Sequence, residues 1–212
     1  ALPILSGKTV TAYVNTHTDL SDELYREGKL VSDNYKNILR SQTNAAAIPA
    51  EVTVRYGVTV RRANLRNLPT GEGLFFYASD RNFDALQETA LDPGEAVAIL
   101  HTSTNGYFYY VQAYNYRGWL SKFDVAETDR STWLRYAEPK NFLTVVAKDY
   151  TLKADGAQVL FQQGARLQLA DKKASAYTVK VPVRTKEGKL QEEKVVLAAN
   201  ASLHEGYLPY TT

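Results

Sequence analysis

From Glu51 onward the apolar side chains recur at every second position, and this period limits the fold more than any other feature. The alternating apolar residues of the first run are Val52, Val54, Tyr56, Val58 and Val60. Such a run is typical of a half-buried β-strand. The Asn105-Gly106 pair, flanked by two strand-like runs, is the strongest hairpin signal in the chain. Short strands with frequent turns and no crossover helices predict a small antiparallel barrel or sandwich.

A second all-β unit follows a polar joint at residues 129–141. Its predicted turns lie at Ala154-Asp155-Gly156 and at Lys186-Glu187-Gly188-Lys189, with strand-like runs on either side of each turn. We therefore expect two five-stranded barrels of similar size, which occupy residues 51–137 and residues 138–212.

Residues 1–50 have a different pattern, which predicts short helices. Ser21-Asp22-Glu23 is expected to begin an amphipathic helix that Gly28 ends, and Ser32 is expected to cap a second helix. A helical pair of this size is too small to stand alone, so we expect it to pack on the β-units. The predicted fold class is thus mainly β, with two small barrels preceded by a short α-helical segment.

The composition excludes several classes of function. The chain has no cysteine, which rules out disulfides, thiolate zinc sites, iron–sulfur clusters and thiol nucleophiles. No apolar run approaches the roughly 20 residues of a membrane span. The net charge is +2, and no segment is basic enough to predict a nucleic-acid partner. Methionine is also absent, which indicates removal of an N-terminal signal peptide or excision from a longer chain.

The histidines and glycines predict neither a metal site nor a cofactor site. His17, His101 and His204 lie in different segments, without the spacing of metal ligands or of a catalytic triad. Gly71-Glu72-Gly73 lacks the lysine and the following helix that a phosphate-binding loop requires. A lone histidine such as His101 is more often a structural hydrogen-bonding group than a catalyst, and we favour that interpretation.

Carboxylates are the remaining route to catalysis. Asp80, Asp84 and Glu88 are four residues apart, so on a helical turn they would share one face. They could act as an acid/base pair in sugar hydrolysis, form a solvated acidic face beside Arg81, or hold the ammonium group of a ligand. We favour the last two alternatives over hydrolysis.

Aromatic residues are concentrated in one short segment. The cluster comprises Tyr107, Phe108, Tyr109, Tyr110, Tyr114, Tyr116 and Trp119. Neighbouring residues of a strand point to opposite faces, so only part of this set can lie in a core. Tyr and Trp combine a flat apolar face with a polar tip, which suits the docking of a sugar or a peptide. Plain packing within a sheet is the alternative.

Several runs of residues resemble a known family. Three runs resemble a bacterial SH3-like domain: Leu91-Asp92-Pro93-Gly94-Glu95-Ala96-Val97-Ala98-Ile99-Leu100-His101-Thr102-Ser103, Asn105-Gly106-Tyr107-Phe108-Tyr109-Tyr110-Val111 and Tyr116-Arg117-Gly118-Trp119-Leu120. Asn64-Leu65-Arg66-Asn67-Leu68-Pro69-Thr70 and Phe83-Asp84-Ala85-Leu86-Gln87-Glu88-Thr89 are similar to the first SH3-like barrel of NlpC-type cell-wall cysteine peptidases. Glu205-Gly206-Tyr207-Leu208-Pro209-Tyr210-Thr211 is similar to the linker that leads into their catalytic domain.

This resemblance implies both an architecture and a role. Peptidases of this type are γ-D-glutamyl-diamino-acid endopeptidases that act on peptidoglycan, with a helical segment, two SH3-like barrels and a papain-like catalytic domain. The chain would comprise the first three parts, so we expect it to be non-catalytic and to bind muropeptide stem peptides. Its expected location is the bacterial cell envelope, periplasmic or extracellular. The alternative is a stand-alone scaffold protein of the envelope that binds peptide or glycan and has no peptidase partner domain.

The resemblance also implies substrate-binding residues in the first barrel. The tyrosine of a Tyr-Pro-Gly-Trp-like element corresponds to Tyr116, with Arg117 in the place of the proline and Trp119 closing the element. The acidic partner of the substrate ammonium group corresponds to Glu88 or to Asp84. These residues are expected to line one side of a muropeptide site that the catalytic domain completes.

Overall fold

The computed structural model describes residues 2–209, and strands dominate it. Strands take 44% of the residues and helices 17%, so the prediction of a mainly β fold is confirmed. Among residues 2–209, closure of the sheets into barrels is not detected. The predicted linker toward a catalytic domain extends to residues 210 and 211, which lie outside the described part of the chain.

The helices and strands alternate irregularly along the chain. The helices are α1 (Gly7–Val14), α2 (Asp33–Gln42) and α3 (Arg130–Ala137). The first strands are β1 (Ile4–Ser6), β2 (Tyr25–Arg26), β3 (Lys29–Leu30), β4 (Glu51–Thr53), β5 (Arg55–Thr59), β6 (Ala63–Arg66), β7 (Gln87–Leu91), β8 (Ala96–Thr102), β9 (Phe108–Gln112) and β10 (Arg117–Ser121). The later strands are β11 (Val125–Thr128), β12 (Phe142–Val145), β13 (Asp149–Ala154), β14 (Ala157–Gln162), β15 (Arg166–Lys173), β16 (Ala176–Arg184), β17 (Leu190–Ala198) and β18 (Leu203–Glu205).

Contacts between residues divide the chain into two units. The first unit takes the described residues up to Arg55, together with Asn64–Ala90 and Ala98–Lys122. The second unit takes Tyr56–Ala63, Leu91–Val97 and the described residues from Phe123 on. The division into residues 1–50, 51–137 and 138–212 stays a prediction.

The first unit is built around neighbouring strands in the order β8-β9-β10-β6-β7. The Asn105-Gly106 hairpin is confirmed, because β8 pairs antiparallel with β9 and Gly106 has a φ of 76°. Trp119 of β10 lies opposite Tyr110 of β9 and opposite Arg66 of β6. One core cluster of this unit comprises Val10, Val14, Val52, Val54, Leu100, Tyr110 and Trp119. Helix α1 therefore contributes its two buried valines, one turn apart, to the core of a sheet.

The helical predictions for residues 1–50 are partly right. Ser32 caps α2, and its Oγ accepts a hydrogen bond of 3.2 Å from the Tyr35 N–H. The helix predicted from Ser21 is wrong, because the chain forms the β2–β3 hairpin there. Leu24 is buried in a second core cluster with residues of α2 and of the loop after β6. Burial of that leucine outweighs a helical pattern that is only one turn long.

The second unit contains a five-stranded antiparallel sheet in the order β17-β16-β15-β12-β18. The predicted turn at residues 154–156 is confirmed: β13 pairs with β14, and Asp155 and Gly156 both have positive φ angles. The turn at residues 186–189 joins β16 to β17. Leu143, Val145 and Phe161 lie at the centre of the core of this unit.

The polar joint predicted at residues 129–141 contains a helix. Asp129 caps α3, and its Oδ1 accepts a hydrogen bond of 2.8 Å from the Thr132 N–H. The Trp133 Nε1–H donates to the Val97 carbonyl at 3.0 Å, and the Tyr136 hydroxyl donates to Glu192 at 2.8 Å. These aromatic anchors give α3 a tertiary role that its polar surface conceals in the sequence.

None of the described helices has the length and apolar character that a membrane crossing requires.

We expect Gly7→Ala to destabilise the chain. A Cβ at Gly7 would lie 1.9 Å from the Pro49 carbonyl oxygen, and the Gly7 N–H donates to the Ala50 carbonyl at 2.7 Å. The backbone would have to separate there, so the free energy of unfolding should fall by about 3 kcal/mol in urea denaturation. Gly71→Ala is the control, because a Cβ there meets no atom within 4 Å. Equal stability of the two variants would contradict this close packing.

A pH-dependent contribution to stability is expected from Asp124 in the second unit. Burial raises the pKa of Asp124 to about 6, although Arg61, whose Nε lies 3.5 Å from Oδ1, opposes the shift. Between about pH 4 and pH 6 the native state holds a proton that the unfolded chain has lost, so stability falls as pH rises through this range.

Asp124→Asn should therefore be about 1–2 kcal/mol more stable than the unchanged chain at pH 7, and not more stable at pH 4. Urea denaturation at both pH values measures the difference. Asp171→Asn, at an exposed position of β15, is the control. A gain of the same size at both pH values would show that removal of the charge is not its cause.

Candidate functional site

The two aromatic positions of the predicted substrate-binding element have opposite environments. Tyr116 precedes β10 in a turn where the Ala113 N–H donates to the Tyr116 carbonyl at 2.8 Å, and its side chain is 44% exposed. Tyr114 in the same turn is 94% exposed. Trp119 is completely buried, with its ring centroid 5.3 Å from that of Tyr110 and 6.3 Å from that of His101. The exposed part of this element is therefore its tyrosine end.

Arg117 fastens α1 to the sheet. Its guanidinium carbon lies 3.8 Å from the centroid of the Tyr13 ring, a cation–π contact. The Tyr110 hydroxyl donates to the Tyr13 carbonyl at 3.0 Å, and burial raises the pKa of Tyr110 to about 12. Tyr110 is thus a neutral hydrogen-bond donor at physiological pH. Arg117 therefore acts in the packing of this unit.

Asp84 is committed to an ion pair inside the first unit. Its Oδ2 lies 2.5 Å from Arg66 Nη1, and the two side chains are only 18% and 7% exposed. Its Oδ1 accepts hydrogen bonds from the Leu74 and Leu86 N–H groups at 3.1 and 3.0 Å. Both carboxylate oxygens therefore have partners within the protein, and Asp84 holds together the loop between β6 and β7.

Arg66 is a residue of this region that sequence reasoning missed. Besides Asp84, its guanidinium donates to the Thr70 carbonyl, the Glu72 carbonyl and Gln87 Oε1. A planar guanidinium with several donors can hold three segments of a loop at once. In the sequence, Arg66 follows the apolar residues of a predicted strand. An arginine buried in such a strand needs hydrogen-bond partners inside the protein, and this was the only signal of its role.

Glu88 is an exposed residue of β7. Strand β7 is two places from β10 in the sheet order, since β6 lies between them. Two strand spacings correspond to about 10 Å, measured across the sheet and perpendicular to the strands. The helical face predicted for Asp80, Asp84 and Glu88 is wrong, because the chain is a loop at the first two positions and a strand at the third.

His101 has the structural role that we favoured from the sequence. Its Nε2 lies 2.9 Å from the Asn44 carbonyl, to which it donates a hydrogen bond as a neutral imidazole. Burial lowers its pKa, which keeps the ring uncharged at neutral pH. Among residues 2–209, no three His, Asp or Glu side chains are grouped so as to hold a metal ion.

Comparisons with known proteins identify one domain and one fold. Residues 74–121 match the family model of an SH3 domain of the SH3b1 type, so the bacterial SH3-like domain predicted in the first half of the chain is confirmed. No curated protein matches the chain.

A solved structure described as a novel NlpC/P60 endopeptidase from Photobacterium damselae subsp. piscicida is similar, with a TM-score of 0.67 and 21% identity. The match covers 97% of this chain and 44% of that protein. The chain thus has the fold of somewhat less than half of that endopeptidase.

Substitutions of Asp84 and Glu88 should show that Asp84 has a structural role and that Glu88 is only a surface residue of the fold. Asp84→Ala leaves the buried Arg66 guanidinium without its counter-ion, so we expect a loss of about 2–4 kcal/mol in the free energy of unfolding. Glu88→Gln, at an exposed strand position, should change stability by less than about 0.5 kcal/mol. Chemical denaturation of both variants makes the comparison. A small effect of Asp84→Ala would show that the ion pair does not stabilise the loop.

Proposed function

We propose that this chain is a non-catalytic, cell-wall-associated region that binds peptidoglycan and positions muropeptide stem peptides for a papain-like peptidase domain. The observation that carries the proposal is the SH3b1-type match over residues 74–121, which includes Tyr116 and Glu88. The fold shared with an NlpC/P60 endopeptidase supports the peptidase context.

The proposed architecture keeps the predicted three parts. Residues 1–50, with α1, α2 and the β2–β3 hairpin, are the N-terminal segment, residues 51–137 the first SH3-like barrel, and residues 138–212 the second SH3-like barrel with the linker to a catalytic domain. A role of this kind places the protein in the bacterial cell envelope, periplasmic or extracellular. The chain itself has no cysteine, so the thiolate nucleophile of such a peptidase would belong to the catalytic domain.

The chemistry of the proposed site is recognition of a free ammonium group. An ammonium that leaves water needs a carboxylate and further oxygen acceptors to replace its hydration. Glu88 is exposed on β7 and Tyr116 is 44% exposed beside β10, so we assign the carboxylate role to Glu88 and the hydroxyl role to Tyr116.

The other three predicted residues act indirectly in this proposal. Trp119 is a buried residue of β10, the strand that follows Tyr116, and Arg117 binds α1 through the Tyr13 ring. Asp84 anchors Arg66, which also donates to Gln87, the residue before Glu88. We therefore treat Trp119, Arg117 and Asp84 as positioning residues rather than as contacts of the substrate.

Binding to stem peptides tests the proposal directly. We expect the chain to bind a stem peptide with a free amino end and to bind its N-acetylated form about tenfold more weakly, as removal of one charged hydrogen-bonding group implies. Glu88→Gln should remove that preference, and Tyr116→Phe should weaken binding about threefold. Isothermal titration calorimetry measures each affinity, and co-sedimentation with purified peptidoglycan tests wall binding.

The matched controls lie at exposed positions elsewhere. Glu51→Gln changes an exposed carboxylate of β4, and Tyr207→Phe changes a tyrosine that is 71% exposed. Both should bind as the unchanged chain does. Equal affinity for free and N-acetylated peptides, or an undiminished preference in Glu88→Gln, would refute the assignment of these residues.

A further inference from the structure

A cavity of about 340 Å³ opens in the first unit, and its lining includes neither Tyr116 nor Glu88. Its lining comprises Arg26, Glu27, Glu72, Gly73, Phe75 and Arg81. These residues come from the β2–β3 hairpin and from the loop between β6 and β7. The volume is within the range of small-ligand pockets, about 300–1,000 Å³.

Two main-chain hydrogen bonds join the walls of this cavity. The Tyr25 N–H donates to the Phe75 carbonyl at 2.7 Å, and the Phe75 N–H donates to the Tyr25 carbonyl at 2.9 Å. A Cβ at Gly73 would lie 2.9 Å from the Phe75 ring, so this ring packs directly on the glycine backbone. The cavity is thus preformed and has one flat apolar wall.

One pair of opposite charges in the cavity is internally satisfied. Arg26 Nη1 donates to Glu72 Oε2 at 2.8 Å, and its guanidinium carbon lies 4.8 Å from the centroid of the Tyr35 ring. The Tyr35 hydroxyl also donates to Glu72 Oε2. These hydrogen bonds, that of Tyr35 first, lower the pKa of the Glu72 carboxyl and keep it charged. This pair builds the wall and leaves the recognition of a ligand to the other two charged residues.

Arg81 is held in a fixed orientation at the edge of the cavity. Its Nη1 donates to the Ala78 and Asp80 carbonyls at 2.8 and 2.7 Å. Its Nη2 would lie 3.3 Å from a Cβ at Gly28, which places the guanidinium against the β2–β3 turn. A guanidinium that is already ordered loses little entropy when it binds a carboxylate.

Glu27 presents a carboxylate from the same turn in a strained conformation. Its φ is 50°, in the left-handed region, and the Gly28 φ is 78°. A two-residue hairpin turn of this type favours asparagine, aspartate or glycine at its first position. A glutamate there costs stability, and backbone strain of this kind clusters at ligand-binding sites. The turn therefore carries an exposed glutamate where asparagine, aspartate or glycine would be more stable.

We propose that this cavity binds a short peptide in its zwitterionic form, with its carboxylate on Arg81, its ammonium on Glu27 and an apolar side chain against Phe75. The lining holds two positive and two negative side chains, so an anion or a cation alone would meet like charge. A dipeptide carries both charges and has a size that suits the cavity. Neither Tyr116 nor Glu88 lines this cavity, so binding here does not depend on the site assigned under the proposed function.

Titration of the labelled chain with the dipeptide alanyl-leucine tests the proposal. We expect shifts of the backbone amide signals of Gly28, Gly73 and Phe75 in two-dimensional NMR spectra, with a Kd of about 1 mM for a ligand of this size. N-acetyl-alanyl-leucine and alanyl-leucine amide each lack one charge and should bind about tenfold more weakly. Absence of shifts at these amides, or equal affinity for the blocked forms, would overturn the proposal.

Two variants separate ligand recognition from the stability of the turn. Glu27→Asn should raise the melting temperature, because asparagine tolerates the left-handed region, and should weaken binding of alanyl-leucine about tenfold. It should also abolish the difference between the free and N-acetylated dipeptides. A stabilised variant with unchanged affinity would show that Glu27 serves the turn alone.

Arg81→Gln is the corresponding change at the carboxylate end, and it should abolish the difference between alanyl-leucine and its amide. Arg81→Lys keeps the charge and should retain part of the affinity, which separates the loss of charge from disorder of the loop. Glu51→Gln and Arg130→Gln change exposed residues that do not line the cavity, and neither should affect binding. Unaltered selectivity in Arg81→Gln would overturn the proposed orientation of the ligand.

Discussion

The buried guanidinium of Arg66 is the constraint on which the first unit depends. Arg66 lies on strand β6 opposite Trp119. Its guanidinium donates hydrogen bonds to the Asp84 carboxylate, to two loop carbonyls and to the Gln87 side chain. A charge with so little access to water is tolerated only when its donors are satisfied, so the loop has to close around it. That closure positions both β7, which carries Glu88, and the segment that lines the cavity.

The same physical requirement separates two carboxylates that look alike in the sequence. Asp84 neutralises Arg66 and accepts two main-chain hydrogen bonds, so its oxygens are used by the fold. Glu88, four residues later, is exposed on a strand and remains available to a ligand. Trp119 and Tyr116 differ in the same way, because one lies in the core and the other at the end of the hairpin. Burial decides which member of each pair stays exposed at the surface.

Patterns among neighbouring residues predicted the turns and one helix correctly. Contacts between residues far apart in the sequence were not predicted. Gly106, Asp155 and Gly156 have positive φ angles in the hairpin turns, which glycine and aspartate accept more readily than most other residues. Ser32 caps α2 through a contact between near neighbours. In contrast, the segment of α3 was interpreted as a polar joint. Its Trp133 donates to the Val97 carbonyl, and local patterns do not show a partner 36 residues away. The hairpin at residues 25–30 replaced a predicted helix because Leu24 is buried in a core that the local pattern does not show.

The sequence by itself determined the mainly β class, the hairpin turns and the absence of cysteine chemistry, because each depends on side-chain type or on neighbours within a few residues. Only the tertiary structure decided that Asp84 belongs to Arg66, that Trp119 is core and that Arg26, Glu27 and Arg81 share a cavity. Such contacts join segments tens of residues apart, and their partners are selected by burial and charge pairing. Residue spacing along the chain does not encode those energies, so the candidate sites emerged only when the chain was folded.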